Sequence, residues 1–280
     1  MSAETQIACH TEYDVLKKVI VSPPTYMEIS EVINETQKVY QSENINTKIA
    51  EEQHADFVKT MQDHGVEVIE IEPKPKLNEQ VFTRDIGFTI GDKVRIGKMA
   101  SKIRLEEIKY FKNLLEEHNI PYQDELIDSI EGGDVIIDQN IIWVGISLRT
   151  TKHAVAKLQE ILPDYQVIDL PLAEGILHLD CTFNVVSPDL ALVYRGGLSE
   201  TDMDKIQSHY EVIEVGDEEQ FTLGTNVLSI GNKKLISLPE NKCVNQTLRE
   251  KGFEVIEVAF NEIIKSGGSF RCCSMPVERK

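Results

Sequence analysis

Glu131-Gly132-Gly133-Asp134 is one of five short polar motifs that recur along this 280-residue chain at nearly one interval. The steps between the key residues of successive motifs are 46, 47, 48 and 46 residues. Such a period is typical of one supersecondary unit repeated in space, which places distant residues at equivalent positions around a common axis. The five key residues are Asp85 in Phe82-Thr83-Arg84-Asp85, Glu131 in the motif quoted above, His178 in His178-Leu179-Asp180, Asn226 in Thr225-Asn226, and Cys272 in Gly267-Gly268-Ser269-Phe270-Arg271-Cys272.

Apolar segments that carry no reactive groups repeat as well. Each unit contains a β-rich run of strand length, and a second apolar run bounded by turn-forming residues follows each polar motif after about ten residues. The first series comprises residues 66–71, 165–170, 210–215 and 253–258, with a degenerate copy near residues 121–127. The second comprises residues 94–97, 143–145, 192–195 and 235–238, and residues 19–22 begin it without a preceding polar motif.

Helical periodicity falls between the two series. Leu and Ile recur at three- and four-residue spacing among Glu and Lys in residues 105–118 and 151–161. Each unit therefore predicts the order strand, strand, helix, strand. About 50 residues is marginal for an independent core, so we predict one closed ring in which each unit packs on its neighbours. This ring would be a single domain over residues 1–280.

The composition agrees with one globular domain. Hydrophobic residues make up 41% of the chain and charged residues 27%, and there is no low-complexity stretch that would act as a linker. Residues 1–11 are polar and lack a basic region followed by an apolar one, and no later apolar run reaches the length of a membrane span. We therefore predict a cytoplasmic protein. The five cysteines are an odd number without metal-ligand spacing, so we expect reduced thiols.

The formal net charge of −18 argues against a nucleic acid or an anionic membrane as a partner. An acidic protein suits a cationic substrate, but an acidic surface that only maintains solubility explains the same charge. The sequence leaves the oligomeric state open, a homodimer included.

Cys272 is the first candidate for chemistry. Free cysteine is usually buried packing, but two glycines lie just upstream of Cys272, and polar residues rather than a continuous apolar strand flank it. A thiol nucleophile needs a partner that lowers its pKa or accepts its proton. His178, two repeats earlier, is the obvious partner, although a lone strand histidine is by default a structural residue.

Asp180 lies two residues after His178 and shares its face if this segment is a strand. Asp180 would then orient the imidazole or contact the substrate itself. Cys181 makes the segment resemble a metal site, but no second Cys/His pair at ligand spacing supports zinc. We expect no metal and no organic cofactor.

Asp85 and Glu131 are weak signals when taken singly, because each motif also fits an ordinary turn or strand end. Together they place two carboxylates beside a cysteine and a histidine. Two carboxylates suit a planar, permanently charged guanidinium, which donates hydrogen bonds in a fork. The electrophile in such a site would be the guanidinium carbon.

In this order the motifs resemble those of the guanidine-modifying enzymes, a superfamily that includes arginine deiminase, dimethylarginine dimethylaminohydrolase and the amidinotransferases. The resemblance covers most of the chain, and it depends on the combination, because no single motif is specific. It implies a five-bladed pseudosymmetric α/β-propeller, the pentein fold, with the active site on the axis.

The resemblance also implies roles for individual residues. Cys272 would attack the guanidinium carbon and form a covalent thiouronium intermediate, while His178 would protonate the leaving amine and then activate water. Asp85 and Glu131 would hold the guanidinium nitrogens. Asp180 would make a further substrate contact, and Arg104 and Arg149 would bind an α-carboxylate. Glu79 stands where these enzymes carry asparagine or aspartate near the amino-acid end of the substrate.

Within the superfamily, the length resembles dimethylarginine dimethylaminohydrolase, whereas Thr83-Arg84-Asp85 and His178-Leu179-Asp180 are closer to the deiminase pattern. The leading hypothesis is hydrolysis of arginine or an Nω-methylated arginine to citrulline plus ammonia or a methylamine. An amidinotransferase or an arginine deiminase-type enzyme is the nearest alternative. A non-catalytic propeller that binds a partner is a third reading, since a fold does not determine a function. Neither Asn226 nor Cys273 receives a catalytic role.

Overall fold

The computed structural model describes residues 6–280, which form five three-stranded sheets. Residues 1–5, part of the polar N-terminal stretch considered above, lie outside the described residues. In chain order the strands are β1 (Leu16–Val21), β2 (Glu67–Glu70), β3 (Gly87–Ile90), β4 (Lys93–Ile96), β5 (Tyr122–Gln123), β6 (Val135–Asp138), β7 (Ile141–Ile146), β8 (Gln166–Pro171), β9 (Phe183–Ser187), β10 (Leu190–Val193), β11 (Glu211–Glu214), β12 (Leu228–Gly231), β13 (Lys234–Ser237), β14 (Glu254–Glu257) and β15 (Met275–Arg279).

All five sheets have the same topology. The central strand pairs antiparallel with an inner strand and parallel with an outer strand. Written from the inner to the outer strand, the sheets are β3-β4-β5, β6-β7-β8, β9-β10-β11, β12-β13-β14 and β15-β1-β2. The five-bladed α/β-propeller predicted from the sequence is therefore confirmed.

A helix connects the central strand to the outer strand in every sheet, because a parallel pair needs a crossover connection. The helices are α1 (Glu35–Tyr40), α2 (Thr47–Asp63), α3 (Glu107–Glu117), α4 (Lys152–Ile161), α5 (Glu200–Gln207), α6 (Asp217–Phe221) and α7 (Lys242–Glu250). The five crossovers are α2, α3, α4, α5 and α7, and α1 and α6 are short additional helices.

Burial explains why the strand series differ in sequence. Every residue of the five inner strands is buried, whereas β2, β11 and β14 have exposed glutamates at both ends around a Val-Ile pair. Each crossover helix buries an apolar face against its own sheet, as Phe57 of α2, Phe111 of α3 and Leu158 of α4 show. No helix in residues 6–280 combines the length and apolar character needed to cross a bilayer.

The two ends of the chain complete the fifth sheet together. β1 lies between β15 from the C-terminal end and β2, and the backbone of Val15 exchanges hydrogen bonds with that of Lys280. The polar motif of this sheet is consequently the Cys272 motif, which directly precedes β15. This explains why residues 19–22 lacked a motif in front of them.

The five polar motifs form turns that precede the five inner strands, and neighbouring turns hydrogen-bond around the axis. The links are Arg84 N to Cys272 O at 3.0 Å, Gly132 N to Asp85 O at 3.0 Å, Leu179 N to Asp134 Oδ1 at 2.9 Å, Asn226 Nδ2 to Asp180 O at 3.2 Å, and Arg271 N to Asn226 O at 3.3 Å. The recurring interval in the sequence therefore corresponds to a closed ring in space.

Candidate active site

The motif turns surround a buried pocket with a free volume of about 10 Å³, roughly the space that one water molecule needs. Six of the eight predicted site residues line it, while Glu131 and Asp180 lie behind its wall. The lining residues are Ile33, Asn34, Glu79, Phe82, Asp85, Arg104, Arg149, Leu177, His178, Ser266, Gly267, Gly268 and Cys272.

The local structure of two motifs differs from the prediction. His178 and Asp180 lie in a turn, since His178 precedes a short 3-10 helix, Leu179–Cys181, rather than belonging to a strand. Cys272 likewise lies in a turn, three residues before β15. Of the two adjacent cysteines, Cys272 is the one that lines the pocket, as predicted.

Close backbone packing explains the paired glycines in the second motif. A Cβ atom on Gly132 would lie 2.1 Å from the carbonyl oxygen of Arg84. A Cβ atom on Gly133 would lie 2.8 Å from both Asp85 Oδ1 and the His178 ring. Any side chain at these two positions would separate the motif turns and push into the site.

His178 lies between two carboxylates. Its Nε2 atom is 2.8 Å from Glu131 Oε2, and its Nδ1 atom is 3.6 Å from Asp85 Oδ1. Burial alone lowers the pKa of His178, but the charge of Asp85 and the hydrogen bond to Glu131 outweigh it and raise the pKa well above its ordinary value. The imidazole is therefore held as the cation at neutral pH and can act as a proton donor.

Glu131 has both oxygens in use. Oε1 accepts a hydrogen bond from the backbone N–H of Ala100 at 2.9 Å, and Oε2 accepts from His178 and, at 3.4 Å, from Arg149. Asp85 differs, because Oδ2 accepts from Arg104 while Oδ1 has no hydrogen-bond partner within residues 6–280. Of the two carboxylates predicted to hold a guanidinium, Asp85 is thus the one with an unused acceptor.

Cys272 is held by two residues of neighbouring motifs. Asn226 Nδ2 donates to Sγ at 3.2 Å, and the thiol approaches the two carboxylate oxygens of Asp180 at 3.7 and 3.8 Å. Asn226 Oδ1 also accepts from the Cys272 N–H at 3.2 Å. The assignment of Asn226 as a structural copy without chemistry is therefore incomplete, since its amide orients the candidate nucleophile. Its place in the repeat was the signal that could have identified it.

The pKa of the Cys272 thiol is raised well above its ordinary value. The neighbouring thiol of Cys181 is the largest cause, followed by burial and by the negative charge of Asp180. Without a cation in the pocket the sulfur is therefore protonated. A ligand with positive charge at this point would favour the thiolate.

The Asp180 carboxylate approaches the Cys272 thiol, so the predicted role of orienting the His178 imidazole does not fit. Its Oδ2 atom also lies 3.4 Å from Nε of Arg271. Arg271 is itself anchored by Glu12, from the N-terminal segment, through both terminal nitrogens. Burial raises the pKa of Asp180, and the positive charges of Arg271 and His178 oppose that rise.

Arg104 and Arg149 are both buried, which is unusual for arginine. Arg104 is fully engaged: it bonds Glu107 through Nε and Nη2, Asp85 through Nη1, and two backbone carbonyls through Nη2. Among residues 6–280, the Arg149 guanidinium makes only the 3.4 Å contact with Glu131 and a 2.8 Å bond to the carbonyl of Ile33. Arg149 is therefore the arginine with donors left for a ligand.

Residues 33–37 cover the pocket, and sequence reasoning did not identify them. Asn34 Nδ2 donates to the Ser266 carbonyl at 2.9 Å, and Gln37 Nε2 donates to Glu79 at 2.8 Å. Burial raises the pKa of Glu79 to about 7. These two hydrogen bonds tie Asn34 and Gln37 across the pocket.

Asp85, Glu131 and His178 each offer one ligand atom within 4.8 Å of the others, a spacing that a metal ion could use. Arg104 and Arg149 already compensate these two carboxylates, and His178 contacts both of them. A metal ion would have to displace this network. The expectation of a metal-free site stays a prediction.

A sequence profile of the family described as N,N dimethylarginine dimethylhydrolase, eukaryotic, matches residues 23–279. The uncharacterized protein YkgA of Bacillus subtilis is 48% identical over 277 residues, which cover 99% of this chain and 97% of that protein. The arginine deiminase of Bacillus cytotoxicus is 27% identical over 99% of this chain and 77% of its own length.

Solved structures share the same fold. The N-terminal domain of ArgZ, a cyanobacterial arginine dihydrolase bound to product, superposes with a TM-score of 0.87 at 24% identity, over 95% of this chain and 98% of that one. SxtG, an amidinotransferase from Microseira wollei, superposes with a TM-score of 0.81 at 17% identity, over 98% and 97%. At these identities the likeness establishes the propeller fold and leaves the reaction to the residues of the site.

Proposed function

The chain belongs to the dimethylarginine dimethylhydrolase family of guanidine-modifying enzymes, and we propose that it hydrolyses a guanidinium C–N bond of arginine or an Nω-methylated arginine. The products are citrulline and ammonia or a methylamine. The reaction passes through a covalent thiouronium on Cys272.

The observation that carries this proposal is the convergence of a thiol, a cationic imidazole and carboxylate oxygens without strong donors around one pocket. Asp85 Oδ1 lacks a partner among the described residues, and Asp180 accepts only from sulfur and from Arg271 at long range. Buried carboxylate oxygens without strong donors are costly, and a guanidinium supplies such donors in a plane. Asp85 and Asp180 are therefore the proposed clamp, with Glu131 acting through His178.

We assign each chemical step to a group of the site. The Cys272 thiolate attacks the guanidinium carbon, and His178 donates its proton to the nitrogen that leaves. Water then attacks the thiouronium carbon while neutral His178 accepts a proton from it, and the C–S bond breaks to release the ureido product. Asn226 holds the sulfur in position throughout.

The positive charge of a bound substrate would lower the pKa of Cys272. Asp180 and Asp85 both raise the pKa of Cys272 through their negative charge. A guanidinium bound between them offsets those charges and favours the thiolate at the moment when its target is present. A neutral ureido compound does not, so citrulline is not expected to activate the thiol.

An amidinotransferase is the second candidate, since the site residues named above do not distinguish it from a hydrolase. Both reactions begin with the same attack by cysteine, and they differ in which bond of the guanidinium breaks first. Purified protein is to be given arginine, Nω-methylated arginines and agmatine, with the ureido product measured. The proposal predicts ureido product from at least one substrate with an α-carboxylate, and product that requires an added amine acceptor would favour the transferase.

Substitution of Arg149 by glutamine is expected to raise KM for arginine by about 10- to 100-fold with little change in kcat, because a lost uniform contact weakens binding in ground and transition states alike. Arg149 has free donors and lines the pocket, whereas Arg104 is saturated. Steady-state kinetics with agmatine, which lacks the carboxylate, is the matched control. An equal loss with agmatine would remove Arg149 from carboxylate binding.

A further inference from the structure

A second buried thiol lies beside the candidate nucleophile. The sulfur atoms of Cys181 and Cys272 both lie 3.8 Å from the same oxygen, Oδ1 of Asp180. The two side chains are 4% and 2% exposed and pack in one apolar cluster. Among the groups that raise the pKa of Cys272, the Cys181 thiol has the largest effect.

Buried cysteines are usually inert packing, and the reaction described above gives Cys181 no task. What distinguishes Cys181 is its placement, since it shares an acceptor with a reactive sulfur. Cys273 is the internal comparison, because it is buried and directly follows the nucleophile, yet its sulfur does not approach Asp180 within the described part of the chain.

We propose that Cys181 is the resolving thiol of an oxidative modification site, which forms a reversible disulfide with Cys272 in the presence of a hydroperoxide. Cys272 lines the pocket, so a small oxidant that enters the pocket meets this sulfur. Oxidation-sensitive thiols in proteins are often placed next to such a resolving cysteine. The disulfide itself does not rest on the proposed hydrolase function; only the accompanying loss of activity does.

The chemistry balances with one peroxide. The Cys272 thiolate attacks a peroxide oxygen, the O–O bond breaks, and the sulfur is oxidised by two electrons to a sulfenic acid while hydroxide leaves as water. The Cys181 sulfur then attacks the Cys272 sulfur, an S–S bond forms, and the S–O bond breaks to release a second water. Asp180 Oδ1 is placed to accept the proton from Cys181. Two thiols and one peroxide therefore give a disulfide and two waters.

Two consequences follow for the protein. The disulfide occupies the nucleophile and stops catalysis, and a dithiol reductant reverses it. It also protects Cys272 from further oxidation to the sulfinic acid, which reductants do not reverse. Because the thiolate is the reacting form and the pKa of Cys272 is raised, the oxidation is expected to accelerate as the pH rises.

The test treats the reduced, full-length protein with hydrogen peroxide, alkylates the remaining thiols and digests the protein without reduction. Mass spectrometry is expected to find a peptide pair linked through Cys181 and Cys272. Dithiothreitol is expected to restore both thiols and to raise the activity of the oxidised protein about tenfold or more. Cys273→Ser should behave in the same way as the wild type. In Cys181→Ser the link should be missing, and excess peroxide should carry Cys272 to the sulfinic acid, which dithiothreitol does not reverse.

Three outcomes would overturn the proposal. They are sulfinic acid on Cys272 of the wild type without a linked peptide, a link to Cys273 instead, and full recovery of Cys181→Ser by dithiothreitol. If the protein turns over no guanidino substrate, the linked peptide in the wild type still decides the question by mass alone. Cys181→Ala provides a second variant in case the buried hydroxyl of serine destabilises the fold.

Discussion

Replacement of Cys272 by serine is expected to lower kcat by at least about four orders of magnitude, as loss of a covalent nucleophile typically does. A serine hydroxyl in this pocket has no base strong enough to ionise it, because His178 is already held as the cation by Asp85 and Glu131. Turnover is measured as ureido product from the best substrate of the panel. Binding should survive, since Asp85 and Asp180 are unchanged.

Cys273→Ser is the matched control for this variant. It changes the adjacent buried cysteine by the same single atom, but outside the pocket lining. We expect it to keep kcat within about an order of magnitude while losing some stability from the buried hydroxyl. Turnover that persists in Cys272→Ser and disappears in Cys273→Ser would mean that the register of the nucleophile has been read wrongly.

The second large effect is expected for Glu131→Gln. Glu131 is the hydrogen-bonded partner of His178, so the neutral amide removes one of the groups that raise the imidazole pKa. Loss of an efficient general acid costs about 10²- to 10⁴-fold in rate. Because catalysis uses the protonated imidazole, activity disappears as the pH rises through the His178 pKa. In Glu131→Gln that pKa falls, so the alkaline limb of the pH–rate profile moves to lower pH.

Glu131→Asp separates charge from geometry. It keeps the negative charge near the imidazole but shortens the side chain, so the alkaline limb should return toward its wild-type position while kcat stays reduced. The profile of kcat against pH for the three proteins gives the answer. An alkaline limb that is identical in wild type and Glu131→Gln would show that Glu131 does not set the protonation of His178.

The periodic part of the fold could be predicted from the sequence because each repeat carries its own local signals. Strands such as β8, β11 and β14 come from near-identical apolar runs, and helices α3 and α4 follow from their three- and four-residue spacing. The equal spacing of Asp85, Glu131, His178 and Cys272 also predicted that they meet on one axis. Each of the five inner strands directly follows one of the five motifs, so the repeat in the sequence predicts the ring.

Features that depend on contacts between distant segments were not predictable. Glu12 meets Arg271 across 259 residues of sequence, and Gln37 meets Ser266 across 229. Neither Glu12 nor Gln37 lies in a repeated motif, and an ordinary polar residue outside the repeats carries no local sign of its partner. The pairing of Arg104 with Glu107 is another case. In the sequence Glu107 resembles the many other glutamates at helix positions, and only the folded structure shows that it is buried against the guanidinium.

The turns at the axis illustrate a third limit. His178 and Asp180 were expected to share one face if their segment is a strand, and the 3-10 geometry instead directs His178 to Glu131 and Asp180 to Cys272. Asn226 received no catalytic role because no chemistry could be named for it from the sequence. Its function in the structure is to hold a sulfur atom, which becomes visible only when the neighbouring motif is in place.

The most direct test of the hydrolase mechanism is the mass of the covalent adduct on Cys272 after rapid acid quenching of the enzyme with arginine in excess. A hydrolase that expels ammonia first leaves an adduct that retains the whole amino acid, with the mass of arginine less that of ammonia, on the peptide that contains Cys272. This is the result we expect. An adduct with the mass of the amidino group alone would identify an amidinotransferase, and an unmodified Cys272 during steady turnover would contradict covalent catalysis at this residue.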